Sequence, residues 1–318
     1  MASRKLEERI EQLKRLRSSG PDAAAALQRG LEDRSNLVVA EAAKIAAELR
    51  LTSLIPSLLA AFDRLLEDPV KTDPKCWGKT SIIKALTDLD YAESPPFLRA
   101  LRHIQMEAVW GGSEDAAGLL RANAALALVQ CTDLRRGDVL RHLTDALADS
   151  LHPVRIEAVR ALEQMNGEES AVLLRLKAHC GDQAPTVMGQ VFDSLLALER
   201  EKAVEFVAQF MTSGDADARD EAALSLGASR LPAAVHVLTE TWRRTKSLEF
   251  GAVLLRALSS SRQPTALDFL LNLISNGRER DAAAALEALQ IHRDSPEILA
   301  RVEEARKQRE GFTRIEPH

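Results

Sequence analysis

Aromatic side chains are scarce here: Phe, Tyr and Trp make up 4% of 318 residues, with one Tyr and three Trp. Since 46% of the chain is hydrophobic, the core falls to Ala and Leu, and helices lined by Ala can approach closely. No apolar run reaches 18 residues, so no segment is expected to span a membrane. The three cysteines, Cys76, Cys131 and Cys180, stand far apart without a CxxC pair. That excludes a disulfide framework and a cysteine zinc site, and favours a reducing compartment. A basic excess is also missing. The chain has 42 Lys and Arg against 47 Asp and Glu, a net charge of −5, whereas a duplex binder needs cations to neutralise phosphates. The stretch MASRKLEERIEQLKRLRSSG has no apolar segment of the kind a secretory signal carries. A cytoplasmic location is therefore expected.

What the sequence does hold is a nine-residue pattern repeated eight times. It begins at Val38, Gly78, Leu120, Val154, Val187, Ala218, Phe250 and Asp281. The steps are 40, 42, 34, 33, 31, 32 and 31 residues, the range of stacked supersecondary units. The fifth position runs Ala42, Ile82, Ala124, Ala158, Val191, Ala222, Leu254, Ala285. The ninth runs Ala46, Leu86, Leu128, Leu162, Leu195, Leu226, Leu258, Leu289. Both columns are apolar throughout, as one face of a helix B requires. Five residues upstream stands Asp33, Asp73, Asp115, Asp149, Asp182, Ser213, Thr245 or Asn276, all turn and helix-capping types. In the sixth copy, Asp215 could replace Ser213 with a small slip. A helix A precedes each turn, as in residues 54–68, 139–149 and 265–276.

The unit resembles a HEAT repeat, of the short kind first described in phycobilisome lyase-type proteins. Asp149 with Val154, Arg155, Ala158, Ala161 and Leu162 carries the full motif. Arg121 and Arg219 match the Arg position and Lys79 matches it weakly, while Val39, Met188, Gly251 and Ala282 depart from it. An incomplete Asp–Arg ladder between units is the consequence. The fold expected is all-α, a right-handed α-solenoid of about eight HEAT-like helix pairs with terminal helices. Its parts are an N-terminal helix in residues 1–21, repeats over 22–291, and a capping helix with tail over 292–318. Asp294-Ser295-Pro296-Glu297 marks the start of the capping helix, and Gly311 to His318 are expected to fray.

The resemblance implies that the B helices line a concave side that binds partners. Its outward positions carry seven acidic residues (Glu41, Glu48, Asp88, Glu157, Asp193, Glu221, Glu287) and four basic ones (Lys44, Lys84, Arg160, Arg256). That balance turns phosphates away, so a nucleic-acid partner is not expected. The two longest steps carry inserted residues, 68–79 and 109–118, each with a Trp. Insertions of neighbouring repeats emerge on one edge. The candidate ligand or partner site is therefore Lys75, Trp77, Lys79, His103, Gln105, Glu107, Trp110, Asp115 and Arg121. The competing reading is that each Trp covers a gap where a longer loop folds back.

Catalytic signals are few. Gly78-Lys79-Thr80 lacks the upstream glycine of a phosphate loop. No His is followed by Glu and no HExxH occurs. HEAT-repeat iron hydroxylases use His-Glu pairs as ligands, so that reading is set aside and no metal or cofactor is expected. His103 and Glu107, four apart, could share one helix face. Cys76 between Lys75 and Lys79 could have a lowered pKa or be a small buried residue. Cys131 and Cys180 read as packing. The expectation is a monomeric, non-catalytic protein-interaction scaffold with a protein partner. The alternatives are an enzyme of the HEAT-like alkylbase DNA glycosylase type, with Trp77, Trp110 and Asp115 pressed into service, or a tetrapyrrole lyase or chaperone.

Overall fold

The computed structural model describes residues 2–18 and 20–313, with side chains described over 5–18 and 22–310. The chain falls into two compact units, Met1–Met165 and Asn166–His318. The first holds α1 (Ala2–Arg15), α2 (Ala24–Leu31), α3 (Asn36–Glu48), α4 (Ile55–Leu66) and α5 (Pro69–Thr72). It continues with α6 (Trp77–Asp88), α7 (Pro95–Leu101), β1 (Met106–Val109), β2 (Gly112–Asp115), α8 (Gly118–Ala127), α9 (Arg136–Ala146) and α10 (His152–Met165). The second holds α11 (Glu168–Cys180), α12 (Pro185–Glu199), α13 (Glu201–Phe210), α14 (Ala216–Ala228), α15 (Pro232–Arg244), α16 (Leu248–Ser260), α17 (Pro264–Asn276), α18 (Glu279–Ala288) and α19 (Pro296–Thr313).

Each unit is an all-α stack of four HEAT-like helix pairs plus one terminal helix. The B helices α3, α6, α8 and α10 pack side by side in the first unit, and α12, α14, α16 and α18 do so in the second. The reason lies in the two apolar columns. All eight residues at the fifth position are fully buried, and those at the ninth are buried too. Burying a Leu side chain contributes about 1.5–3 kcal/mol, so the repeated column is the main source of each helix's hold on the next. Small neighbours at the eighth position, Ala or Ser in seven copies, let the axes come close.

The polar turn column works in its first six copies. Asp33 accepts from Ser35 N–H, Asp115 from Ala117, Asp149 from Leu151 and Asp182 from Ala184, all at 2.8–3.0 Å. Asp73 accepts from Gly78 and Lys79 N–H at 2.8 and 2.9 Å. In the sixth copy Asp215 caps α14, accepting from Asp217 and Ala218, while Ser213 accepts from Asp215. In the seventh Ser247 caps α16 in place of Thr245, and in the eighth Asn276 bonds to Asn272 instead. The column holds in the sixth copy, at the same two-residue spacing as Asp33, Asp115, Asp149 and Asp182, and fails in the last two.

The B helices end without the glycine that such ends favour. Arg50, Asp90, Asn166, Arg200, Arg230 and Arg262 each take a positive φ between 54° and 58° just past a B helix. At α3 and α6 the chain closes with Leu51 N–H on Ala46 O and Tyr91 N–H on Leu86 O, the six-to-one bond of a Schellman end.

Three expectations need correction. The second insertion is a β-hairpin, with Met106 opposite Asp115 and Val109 opposite Gly112. Its tip turns at Gly111, whose φ of 91° suits glycine. His103 and Glu107 therefore share no helix: α7 stops at Leu101 and Glu107 lies on β1. Cys180 is exposed at the end of α11, while Cys131 is buried. The capping helix runs on to Thr313, and the rest of the expected frayed tail, 314–318, lies outside the described residues. Among the described residues no helix is long and apolar enough to cross a membrane.

Candidate functional site

The first insertion lies beside the strand leading into the second, as their adjacency in the repeat order requires. Gln105 stitches them together. Its amide Nε2 donates to Asp73 O at 2.9 Å and to Glu107 Oε1 at 2.6 Å. Its Oε1 accepts from Cys76 Sγ at 3.1 Å and lies 3.1 Å from His103 Nε2. Glu107 Oε1 also accepts from Lys75 N–H at 2.6 Å. Long connections leave backbone groups outside the helix ladders, and buried groups of that kind must be paired. Lys75 and Cys76, consecutive residues at φ 61° and 56°, hold a conformation that costs about 1–3 kcal/mol per residue.

Two buried charge clusters anchor this edge. Lys79 and Asp73 are both fully buried, with Nζ 3.2 Å from Oδ2. Lys79 Nζ also donates to Leu65 O near the end of α4, where a helix has unpaired carbonyls. Asp73 Oδ1 takes a further bond from Asn36 Nδ2 at 2.9 Å. The second cluster centres on Arg121, buried at the start of α8. Its Nε and Nη2 grip both oxygens of Asp149 at 2.7 and 2.9 Å. Its Nη1 donates to Asp115 Oδ2 at 2.7 Å and His103 O at 2.9 Å. This is the Asp–Arg ladder between repeats, present at the third and fourth repeats of the first unit. Burial works to raise the Asp115 carboxyl, but bonds from Ala117 and Gln105 N–H and from Arg121 outweigh it and hold it below the usual range.

The candidate residues thus divide. Lys79, Gln105, Asp115 and Arg121 are engaged in hydrogen bonds and ion pairs of the protein's own polar core. His103 is kept toward its neutral form chiefly by burial, against the bond to Gln105. Cys76 is no activated thiol: burial pushes it up to about 12, against the pull of Lys79. The tryptophans stay outside. Trp77 is 50% exposed and Trp110, at the hairpin tip, is 103% exposed. The reading in which each covers a gap does not hold for Trp110.

Trp77 forms one wall of an open groove of about 360 Å³, with Ile10, Leu37, Lys44, Lys75 and Leu119. Lys75 Nζ lies 5.9 Å from the centre of the Trp77 ring. A second groove, of about 630 Å³, shares Lys44 and Ser81 with the first and continues to Lys84 and Asp88. Leu37 and Leu119 had no signal in the repeat pattern. Leu119 shows itself only as an exposed large apolar residue, a rank no one-dimensional pattern gives.

The fold and this edge define an all-α protein of HEAT-like helix pairs with a polar, interlocked insertion and exposed tryptophans. No family model matches the sequence. The chain is similar to rat (Rattus norvegicus) deoxyhypusine hydroxylase, at 28% identity over 239 residues, 70% of this chain and 75% of the relative. Human deoxyhypusine hydroxylase, solved in complex with glycerol, aligns at 22% identity with a TM-score of 0.31, over 80% of this chain and 90% of the other.

The rat relative is an enzyme, and that overturns the expectation of a non-catalytic scaffold. It is neither a DNA glycosylase nor a tetrapyrrole lyase or chaperone, so those alternatives fall as well. The described residues do not assemble a His-Glu ligand set of the kind iron hydroxylases use. Among the described residues no group of three or more His, Cys, Asp or Glu is placed to hold a metal ion. His103 faces Gln105, and Asp115 is spent on Arg121.

Proposed function

We propose that the first unit seats a polypeptide segment at the groove beside Trp77 and under the hairpin that carries Trp110. In this reading, seating that segment is the chain's part in a protein-modifying activity akin to its relative's. The observation that carries this is exposed Trp77 on the groove wall, with exposed Trp110 at the tip of the hairpin whose first strand is stitched to that edge. Exposed aromatic rings beside a groove are the usual anchors of recognition. The relative supports it from another side: its name gives deoxyhypusine as what it hydroxylates. The short steps of the fourth to eighth copies also support placing these repeats with the short HEAT kind of phycobilisome lyase-type proteins.

The test is a selection of displayed random peptides on the full chain. Enriched peptides should bind the parent and lose about tenfold or more in affinity to the Trp77→Ala/Trp110→Ala double variant, as for anchor residues elsewhere. Far-UV circular dichroism of the double variant should be unchanged, because both rings are exposed. Equal binding by parent and double variant would sink the reading. A deoxyhypusine peptide that gains one oxygen on incubation with the chain would replace it with the relative's own activity.

A further inference from the structure

The outward face of the B helices reads as acidic along the sequence, but where it lines the two grooves of the first unit, cations outnumber carboxylates once Arg17 and Lys75 are counted. Arg17, just past α1, reaches over that face. Its Nε donates to Glu48 Oε2 at 2.6 Å and its Nη2 to Glu41 Oε1 at 2.9 Å. Glu157 is paired with Arg160 at 2.7 Å. With those carboxylates engaged, Lys44 and Lys84 remain without an ion-pair partner among the described residues, and so does Lys75, which only overlies Trp77. Asp88 is the one carboxylate of this face left unpaired. The groove is therefore cationic at Lys44, Lys75 and Lys84, and apolar at Leu37, Trp77 and Leu119.

Resting on the reading that this edge seats a polypeptide, we infer that the occupant is an acidic segment with an apolar anchor. The anchor lies against Trp77, Leu37 and Leu119, where burial of apolar area supplies the affinity. Flanking Asp or Glu residues meet the three lysines, which steer approach and set register. A single-stranded nucleic acid would use the same chemistry, stacking on Trp77. The geometry favours the peptide. Three cations make a short patch and no track for a phosphate backbone.

Fluorescence anisotropy on the full chain decides this with three labelled peptides. One carries a Leu-Phe pair flanked by Glu, one the same pair flanked by Lys, and one Ser-Ser flanked by Glu. The acidic anchored peptide should bind best and weaken with added salt. Lys44→Glu/Lys84→Glu should weaken it about tenfold or more, by loss and reversal of exposed pairs. Both lysines are exposed, so unchanged circular dichroism is expected of that variant. Stronger binding of the Lys-flanked peptide that still depends on Trp77 overturns the inference and leaves the seating of a polypeptide standing. Peptide binding that ignores Trp77→Ala and Trp110→Ala removes both. The inference also fails if the acidic anchored peptide does not bind, if an oligothymidylate displaces it at lower concentration, or if the groove proves buried in a dimer that Lys44→Glu/Lys84→Glu dissociates.

Discussion

The regular pairs of the second unit and the inserted pairs of the first solve one packing problem in two ways. In the second, helices close through small residues. A Cβ on Gly227 would lie 2.2 Å from Ala257 O and 2.7 Å from its Cα, so α14 meets α16 backbone to backbone. In the first, longer connections push charged and amide groups inward, and closure runs through Asp73–Lys79, Asp115–Arg121–Asp149 and Gln105. Small-residue contacts need nothing beyond a fit. Buried polar contacts need every partner in place. The difference explains why the inserted edge, and not the regular stack, holds shape around exposed aromatic rings.

The comparison breaks first at Lys79. Lys79→Met leaves the Asp73 carboxylate buried without its counter-charge, which costs about 3–5 kcal/mol for a pair of this kind. Urea unfolding followed by circular dichroism should show that loss, and Asp73→Asn in the same chain should recover much of it by removing the stranded charge. A loss no larger than for an exposed lysine would mean the pair does not hold the edge. Next comes Gly227→Ala. The helix gains about 1 kcal/mol in propensity, but the new methyl meets backbone that cannot turn aside. Overpacking of about 1–3 kcal/mol should win, giving a lower thermal midpoint. A rise in midpoint would show that α14 and α16 can slide apart.

The repeated column made the eight helix pairs legible, because two apolar positions four apart fix a helical face and its register. The edge was legible only as a place. That residues 68–79 lie beside the strand leading into the second insertion followed from repeat adjacency. The hairpin did not, though Met106 to Val109 followed by Gly111-Gly112 is short strand and turn material. The pattern placed Lys79 on a ladder but could not show it buried, since a lysine reads as solvent-facing unless its partner is known. The sign of the groove was hidden for a similar reason. Counting carboxylates on one face takes no account of Arg17, which arrives from 24 and 31 residues away.

The smallest effect sharpens the other side of the comparison, because the second unit has a polar liability of its own. Glu221, on α14, lies against Gly189 of α12, where a Cβ would come within 2.4 Å of its Oε2. Burial, followed by the charges of Asp193, Asp217 and Asp220, raises its carboxyl above the ordinary value. An acid raised by folding binds its proton more readily in the folded chain. The folded state is therefore penalised above that raised value, and the penalty fades as pH falls toward the unfolded value of about 4.3. Glu221→Gln should stabilise the protein at pH 7 by less than about 1 kcal/mol, since the group is partly exposed and screened. The gain should shrink toward zero near pH 4. Thermal midpoints of parent and variant at the two pH values test this. A gain that persists at pH 4 would assign the effect to the shape of the side chain against Gly189, and the second unit would then be governed by fit alone.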